Sequence, residues 1–167
     1  MSDTVLVTTS MGSFTIALDR AAAPQTVENF LAYVDSGHYD GTIFHRVIAQ
    51  FMVQGGGYDE RYEKKAVRAP VQNEATNGRK NLRGTVAMAR TSDPHSATAQ
   101  FFVNAKDNDF LDHTAPSGSG WGYCVFGEVT DGMDVVQAIE GVATGSGGPF
   151  AKDAPREMVV IQSVRRA

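Results

Sequence analysis

One cysteine, four histidines and one tryptophan are spread through 167 residues. Cys124 alone cannot form an intramolecular disulfide or supply a cysteine zinc site. His38, His45, His95 and His113 lie far apart and form no H-E-x-x-H motif, so no metal is expected. No apolar run exceeds the five residues from Phe30 to Val34, against about 20 for a membrane-spanning helix. The segment Met1-Ser2-Asp3-Thr4 carries neither the basic nor the apolar part of a signal peptide. With Met1 as the natural start, the expected location is cytoplasmic. Basic charge is scarce too: 15 Lys and Arg against 19 Asp and Glu leave a net charge of -4, which argues against nucleic acid as a partner. The phosphate loop G-x-x-x-x-G-K-[ST], a complete G-x-G-x-x-G and the serine-hydrolase elbow G-x-S-x-G are all missing. No nucleotide or other cofactor is therefore expected.

What is present is ordinary for one globular domain spanning 1–167. Hydrophobic residues make up 42% and charged residues 20%, too apolar for disorder. The runs Val5 to Thr9 and Phe14 to Leu18, parted by Ser10-Met11-Gly12-Ser13, predict a β-hairpin. Val27, Phe30, Leu31 and Val34 share one helical face, with Pro24 suited to the first turn and Gly37 to the C-terminal cap. Strand-like runs follow at Thr42 to Ile48, Phe51 to Gln54, Gly84 to Ala89, Phe101 to Asn104, Tyr123 to Val129 and Met158 to Val164. A second helix is expected from Met133 to Ile139. Many short strands with two helices point to a closed or nearly closed barrel. Gly57 to Asn81, His113 to Gly120 and Gly145 to Pro149 read as loops. Within the first, Glu60-Arg61-Tyr62-Glu63-Lys64-Lys65 reads as a solvated face.

Three dense motifs remain. They are Phe44-His45-Arg46-Val47-Ile48 with Phe51-Met52-Val53-Gln54-Gly55-Gly56-Gly57; Gly84 to Arg90 with Ser96 to Val103; and Phe110-Leu111-Asp112 with Tyr123-Cys124-Val125-Phe126-Gly127. In order and spacing, from about Thr4 to Val164, the chain resembles the cyclophilin family of peptidyl-prolyl cis–trans isomerases. The segment Trp121-Gly122-Tyr123 is most like the bacterial cytosolic members. The resemblance implies a mainly β fold, a closed eight-stranded antiparallel β-barrel with a helix over each end. It also implies a monomer that isomerises X-Pro bonds in peptides and unfolded proteins, and so assists folding, without metal or cofactor.

By the same resemblance, Arg46 matches the catalytic arginine and Gln54 the glutamine that orients it. Phe51, Met52, Phe102 and Leu111 match the slot for the proline ring. Ala89, Arg90 and Gln100 match positions that meet the residue before proline and its neighbours. Arg90 stands where eukaryotic members commonly carry Asn, Tyr123 where many carry His, and Phe110 where they carry Trp. Without the indole donor at Phe110, cyclosporin is expected to bind weakly.

Read without the resemblance, several of these residues have plainer roles. A lone arginine is usually a surface ion-pair partner, and Phe102 and Leu111 would pass for core. Strand alternation puts Phe51 on the face opposite Met52 and Gln54, so for Phe51 to join them the strand must begin irregularly or lie at a loop boundary. His45 is expected to be structural and hydrogen-bonded, Cys124 a buried small hydrophobe. Trp121 either packs at the site's rim or braces a loop. Two rival functions stand beside the isomerase: a peptide-binding module of the same fold, and a barrel holding a small ligand inside.

Overall fold

The computed structural model describes residues 3–167. The strands are β1 Asp3–Thr9, β2 Gly12–Leu18, β3 Thr42–Ile43, β4 Arg46–Ile48, β5 Met52–Gly55, β6 Thr85–Met88, β7 Phe101–Asn104, β8 Val125–Asp131, β9 Thr144–Gly147, β10 Phe150–Pro155 and β11 Val160–Arg166. The helices are α1 Pro24–Asp35 and α2 Met133–Glu140.

One antiparallel sheet runs β3-β11-β1-β2-β8-β6-β7-β5-β4. Its two margins, β3 and β4, are separated in the chain only by Phe44 and His45. The sheet therefore returns on itself, and the nine pieces make eight strands once the broken pair is taken as one. Closure leaves few free strand edges. The expected hairpin is β1–β2, in register from Asp3 opposite Leu18 to Thr9 opposite Gly12. The interior is filled by side chains, among them Val5, Val7, Phe14, Ile16, Val53, Val86, Phe101 and Phe126. A filled interior removes the reading of a barrel built around a small ligand.

Helix α1 buries Val27, Phe30, Leu31 and Val34, the face its spacing predicts. Phe30 stands within 5.1–5.7 Å of the Phe126, Tyr39 and Phe101 rings. Ala23, at its start, offers no capping side chain. The Glu74 carboxylate takes that role from a distant loop, accepting from the Thr26 N–H and hydroxyl, both at 2.7 Å. At the other end Gly37 has φ +74°, with Gly37 N–H bonded to Val34 and His38 N–H to Tyr33. This paired closure needs a left-handed residue, which glycine supplies without strain. Helix α2 packs against β2, β4 and β5.

Two expectations change. Thr42 to Ile48 is not one strand, because Phe44 and His45 interrupt it. Gly145 to Pro149 is not a loose connection: β9 and β10 form a second hairpin through it. Phe150 anchors that hairpin, lying 5.2 Å from the His45 ring, 5.1 Å from Tyr58 and 6.2 Å from Tyr62. Glycine has no side chain to alternate, so Thr144-Gly145-Ser146-Gly147 carries no strand signal.

Candidate active site

Strands β5, β6 and β7 are buried on both faces. Val53, Val86 and Val103 point into the barrel, whereas Met52, Ala87 and Phe102 point out and join Ala89, Leu111 and Val125 in a second apolar cluster. Pairing places Arg46 opposite Gln54, Gln54 opposite Phe102, and Phe102 opposite Ala87. Directly opposed residues share a face. A cation, an amide and an aromatic ring are thus aligned across the outside of the barrel.

Beside this row lies a recess of about 100 Å³, lined by Arg46, Phe51, Met52, Gln54, Ala89, Arg90, Phe102, Leu111 and Tyr123. Nine of the eleven expected site residues meet there. Phe51 reaches it because it sits before β5, in a tight turn closed by its N–H on the Ile48 carbonyl at 3.1 Å. Gln50 takes φ +57° in that turn, and its N–H is held by the Glu140 carboxylate at 2.7 Å. The tenth residue, Gln100, borders an adjoining recess and accepts a hydrogen bond from Gln54 Nε2 at 3.0 Å. Gln54 Oε1 in turn faces an Arg46 guanidinium nitrogen at 3.4 Å. The eleventh, Phe110, lies outside the recess on its rim, 69% exposed and 5.6 Å from the Phe51 ring.

Arg90 is tied down more firmly than sequence reasoning anticipates. Its Nε and one terminal nitrogen donate to the Gly122 carbonyl at 3.1 and 2.9 Å, and the other donates to Thr91 at 2.8 Å. The guanidinium covers the Tyr123 ring at 4.4 Å. Gly122 is required here: its φ is +68°, and a Cβ would fall 2.5 Å from the Leu111 carbonyl oxygen. Tyr123 meets Phe102 edge-on at 5.7 Å.

Behind the recess runs a chain of buried asparagines that the sequence did not single out. Asn104 donates to Asn81 and Thr85 at 3.0 and 2.9 Å and accepts from Asn108 at 2.9 Å. Asn108 also donates to the Phe51 carbonyl at 2.9 Å, and Asn81 to those of Leu111 and Tyr123 at 3.2 and 3.3 Å. Three pocket-lining residues thus hang from one polar network. Its only sequence signal is Asn104 closing an otherwise apolar strand, a poor β-former in a buried place.

His45 is buried and structural, as expected, but ring packing holds it. Its Nδ1 has no hydrogen-bond partner among the described residues. Burial first, and the Arg46 charge second, lower its pKa to about 4, so the ring is neutral at pH 7. Cys124 is buried beside the Thr26 hydroxyl at 3.7 Å, and burial pushes its thiol up to about 11. Trp121 braces the loop between the rings of His95 and His113, at 4.7 and 5.3 Å. The run expected as a solvated face is not wholly so: Lys65 binds the His38 and Asp40 carbonyls, and Lys64 borders the adjoining recess. Among the described residues no group of three or more His, Cys, Asp or Glu is placed to hold a metal ion, and no helix is long and apolar enough to cross a membrane.

Fold and site together define a barrel protein with a recess on its outer wall that sets apolar side chains (Phe51, Met52, Phe102, Leu111) beside polar and cationic ones (Gln54, Arg46, Arg90). Residues 4–166 match the family described as cyclophilin type peptidyl-prolyl cis-trans isomerase/CLD. The chain is 60% identical over 162 residues to peptidyl-prolyl cis-trans isomerase cyp18 of Streptomyces antibioticus, covering 97% of each. It is 57% identical to peptidyl-prolyl cis-trans isomerase B of Escherichia coli, covering 93% of this chain and 94% of that one. A Cryptosporidium parvum cyclophilin solved in the presence of the dipeptide Ala-Pro superposes with a TM-score of 0.78, covering 98% of each chain at 24% identity. The chain belongs to the cyclophilin-type peptidyl-prolyl cis–trans isomerases. It is an enzyme that rotates X-Pro peptide bonds, the step that helps proline-containing chains to fold.

Proposed function

We propose that the proline ring enters the recess of Phe51, Met52, Phe102 and Leu111 while Arg46, steadied by Gln54, acts on the prolyl nitrogen. The amide barrier of about 18–20 kcal/mol arises from resonance across the C–N bond. No bond breaks, so neither a nucleophile nor a general base is needed. The enzyme must bind the twisted amide better than either planar isomer. Twisting returns a lone pair to nitrogen, and a fixed guanidinium fork is suited to meet it. An acceleration of a thousandfold asks for only about 4 kcal/mol of such preference.

The supporting observation is the cross-strand row Arg46–Gln54–Phe102 beside a recess of about 100 Å³ whose apolar wall is Phe51, Met52, Phe102 and Leu111. The Ala-Pro dipeptide used with the Cryptosporidium relative is the kind of ligand this recess would take. Phe110 and Tyr123 extend the wall toward the residues after proline, and Ala89, Arg90 and Gln100 meet those before it. The reading extends to a single-domain monomer at work in the cytoplasm, with weak affinity for cyclosporin; gel filtration and cell fractionation test the first two.

The decisive experiment compares Arg46→Ala and Arg46→Lys on an X-Pro peptide by NMR exchange. Alanine is expected to cut kcat/KM by tenfold or more, about 1.4 kcal/mol, with a smaller loss of peptide affinity. Lysine, a point charge without the fork, restores little. An Arg46→Ala enzyme of normal turnover sinks the electrostatic role.

A further inference from the structure

Two recesses meet at a shared wall. Gln54, Ala89 and Arg90 border both the 100 Å³ recess and an adjoining one of about 330 Å³ that opens past Gln100 toward Lys64. Among the described residues, every charged residue bordering either recess is a cation: Arg46, Arg90 and Lys64. That runs against the chain as a whole, in which acids outnumber bases by 19 to 15. In the turn beside the second recess Asp93 is already engaged, its carboxylate accepting the His95 N–H at 2.9 Å.

The cation on the shared wall is held by hydrogen bonds and ring stacking. Three donors of Arg90 end on the neutral carbonyls of Gly122 and Thr91, and its face is stacked on Tyr123. No carboxylate pairs with it in either hydrogen bonds or ion pairs among the described residues. Its positive charge therefore has no counter-ion on a wall that both recesses share. Fixed charges of one sign in a cleft focus the field and favour the opposite sign in the ligand.

We propose that the enzyme prefers X-Pro segments with a carboxylate side chain, Asp or Glu, on the amino side of the proline, seated in the second recess between Arg90 and Lys64. This rests on the assignment of the proline ring to the first recess.

The test uses three amino-capped peptides, Glu-Ala-Pro-Phe, Gln-Ala-Pro-Phe and Lys-Ala-Pro-Phe, with the whole enzyme. At about 0.02 M salt, kcat/KM is expected to fall about threefold or more at each step from Glu to Gln to Lys, chiefly through KM, and the spread to shrink at about 0.5 M salt. Arg90→Gln and Lys64→Gln should each lower the Glu-to-Gln ratio. Equal kcat/KM for the Glu and Gln peptides in the native enzyme overturns the charge preference while leaving the isomerase site intact, and so does a ratio that neither variant moves. Failure to turn over any of the three overturns the site assignment as well.

Discussion

The rings of Phe51 and Phe110 stand 5.6 Å apart and 33° from parallel, one in the pocket wall and the other 69% exposed on the rim. The rim can therefore be altered while the pocket keeps its own contacts. Phe110→Trp adds ring area and an N–H donor that Phe lacks. It is expected to tighten cyclosporin inhibition about tenfold, from a hydrogen bond of about 0.5–1.5 kcal/mol plus added contact. Turnover of an X-Pro peptide should change little. Inhibition unmoved in a folded Phe110→Trp protein would transfer the role to Tyr123 or to the loop 113–120.

Asn104 makes three side-chain hydrogen bonds inside the network that carries the Phe51, Leu111 and Tyr123 carbonyls. Asn104→Ala leaves buried partners unpaired, a loss of about 2–3 kcal/mol in stability. Urea unfolding measures it. Because the pocket walls hang from the same network, KM for a peptide should rise in the protein that remains folded. A stability loss with an unchanged KM would separate the network from the pocket.

His45 makes stability depend on pH in a known direction. The unfolded chain takes up the imidazole proton near the ordinary value of 6.5, the folded chain only near 4. Stability is therefore full above pH 6.5 and declines as the pH falls toward 4, by about 3 kcal/mol at the limit. Burial lowers the His38 pKa too, adding a decline of the same sign. His45→Phe should flatten this part of the profile in urea melts. An equally steep profile in the variant would place the sensitivity elsewhere.

Catalysis should not depend on thiol or metal. With the Cys124 thiol near 11, about one molecule in a thousand carries thiolate at pH 8. Iodoacetamide should leave the folded enzyme unmodified and active, and Cys124→Ser should keep its turnover. Loss of activity in a chelator, restored by a metal ion, would contradict the proposed chemistry.

Much of this was legible from the residues. The 3.6-residue spacing gave α1 because its apolar face is one unbroken stripe, and β7 runs from Phe101 to Asn104 as its composition predicts. Nine of the residues that the motif resemblance names line one recess. Hydrophobic pattern failed where side chains are missing or polar. The glycine-rich β9 has nothing to alternate, and the Asn81–Asn104–Asn108 network pairs residues whose distance in sequence hides their contact. Periodicity alone could not say that β5, β6 and β7 are covered on both sides. On pattern alone Phe102 passes for core; the resemblance assigns it to the slot, and the second cluster separates it from Val103.

That two-sided burial has an evolutionary consequence. Val53, Val86 and Val103 face the barrel interior, while Met52 and Phe102, their neighbours on β5 and β7, line the outer recess proposed for the proline ring. Selection for a stable scaffold and selection for a new client thus read alternate letters of the same short segments. A lineage can retune its outer letters one at a time without rewriting the inner text, and a directed-evolution library confined to those outer positions starts from a scaffold already spelled out.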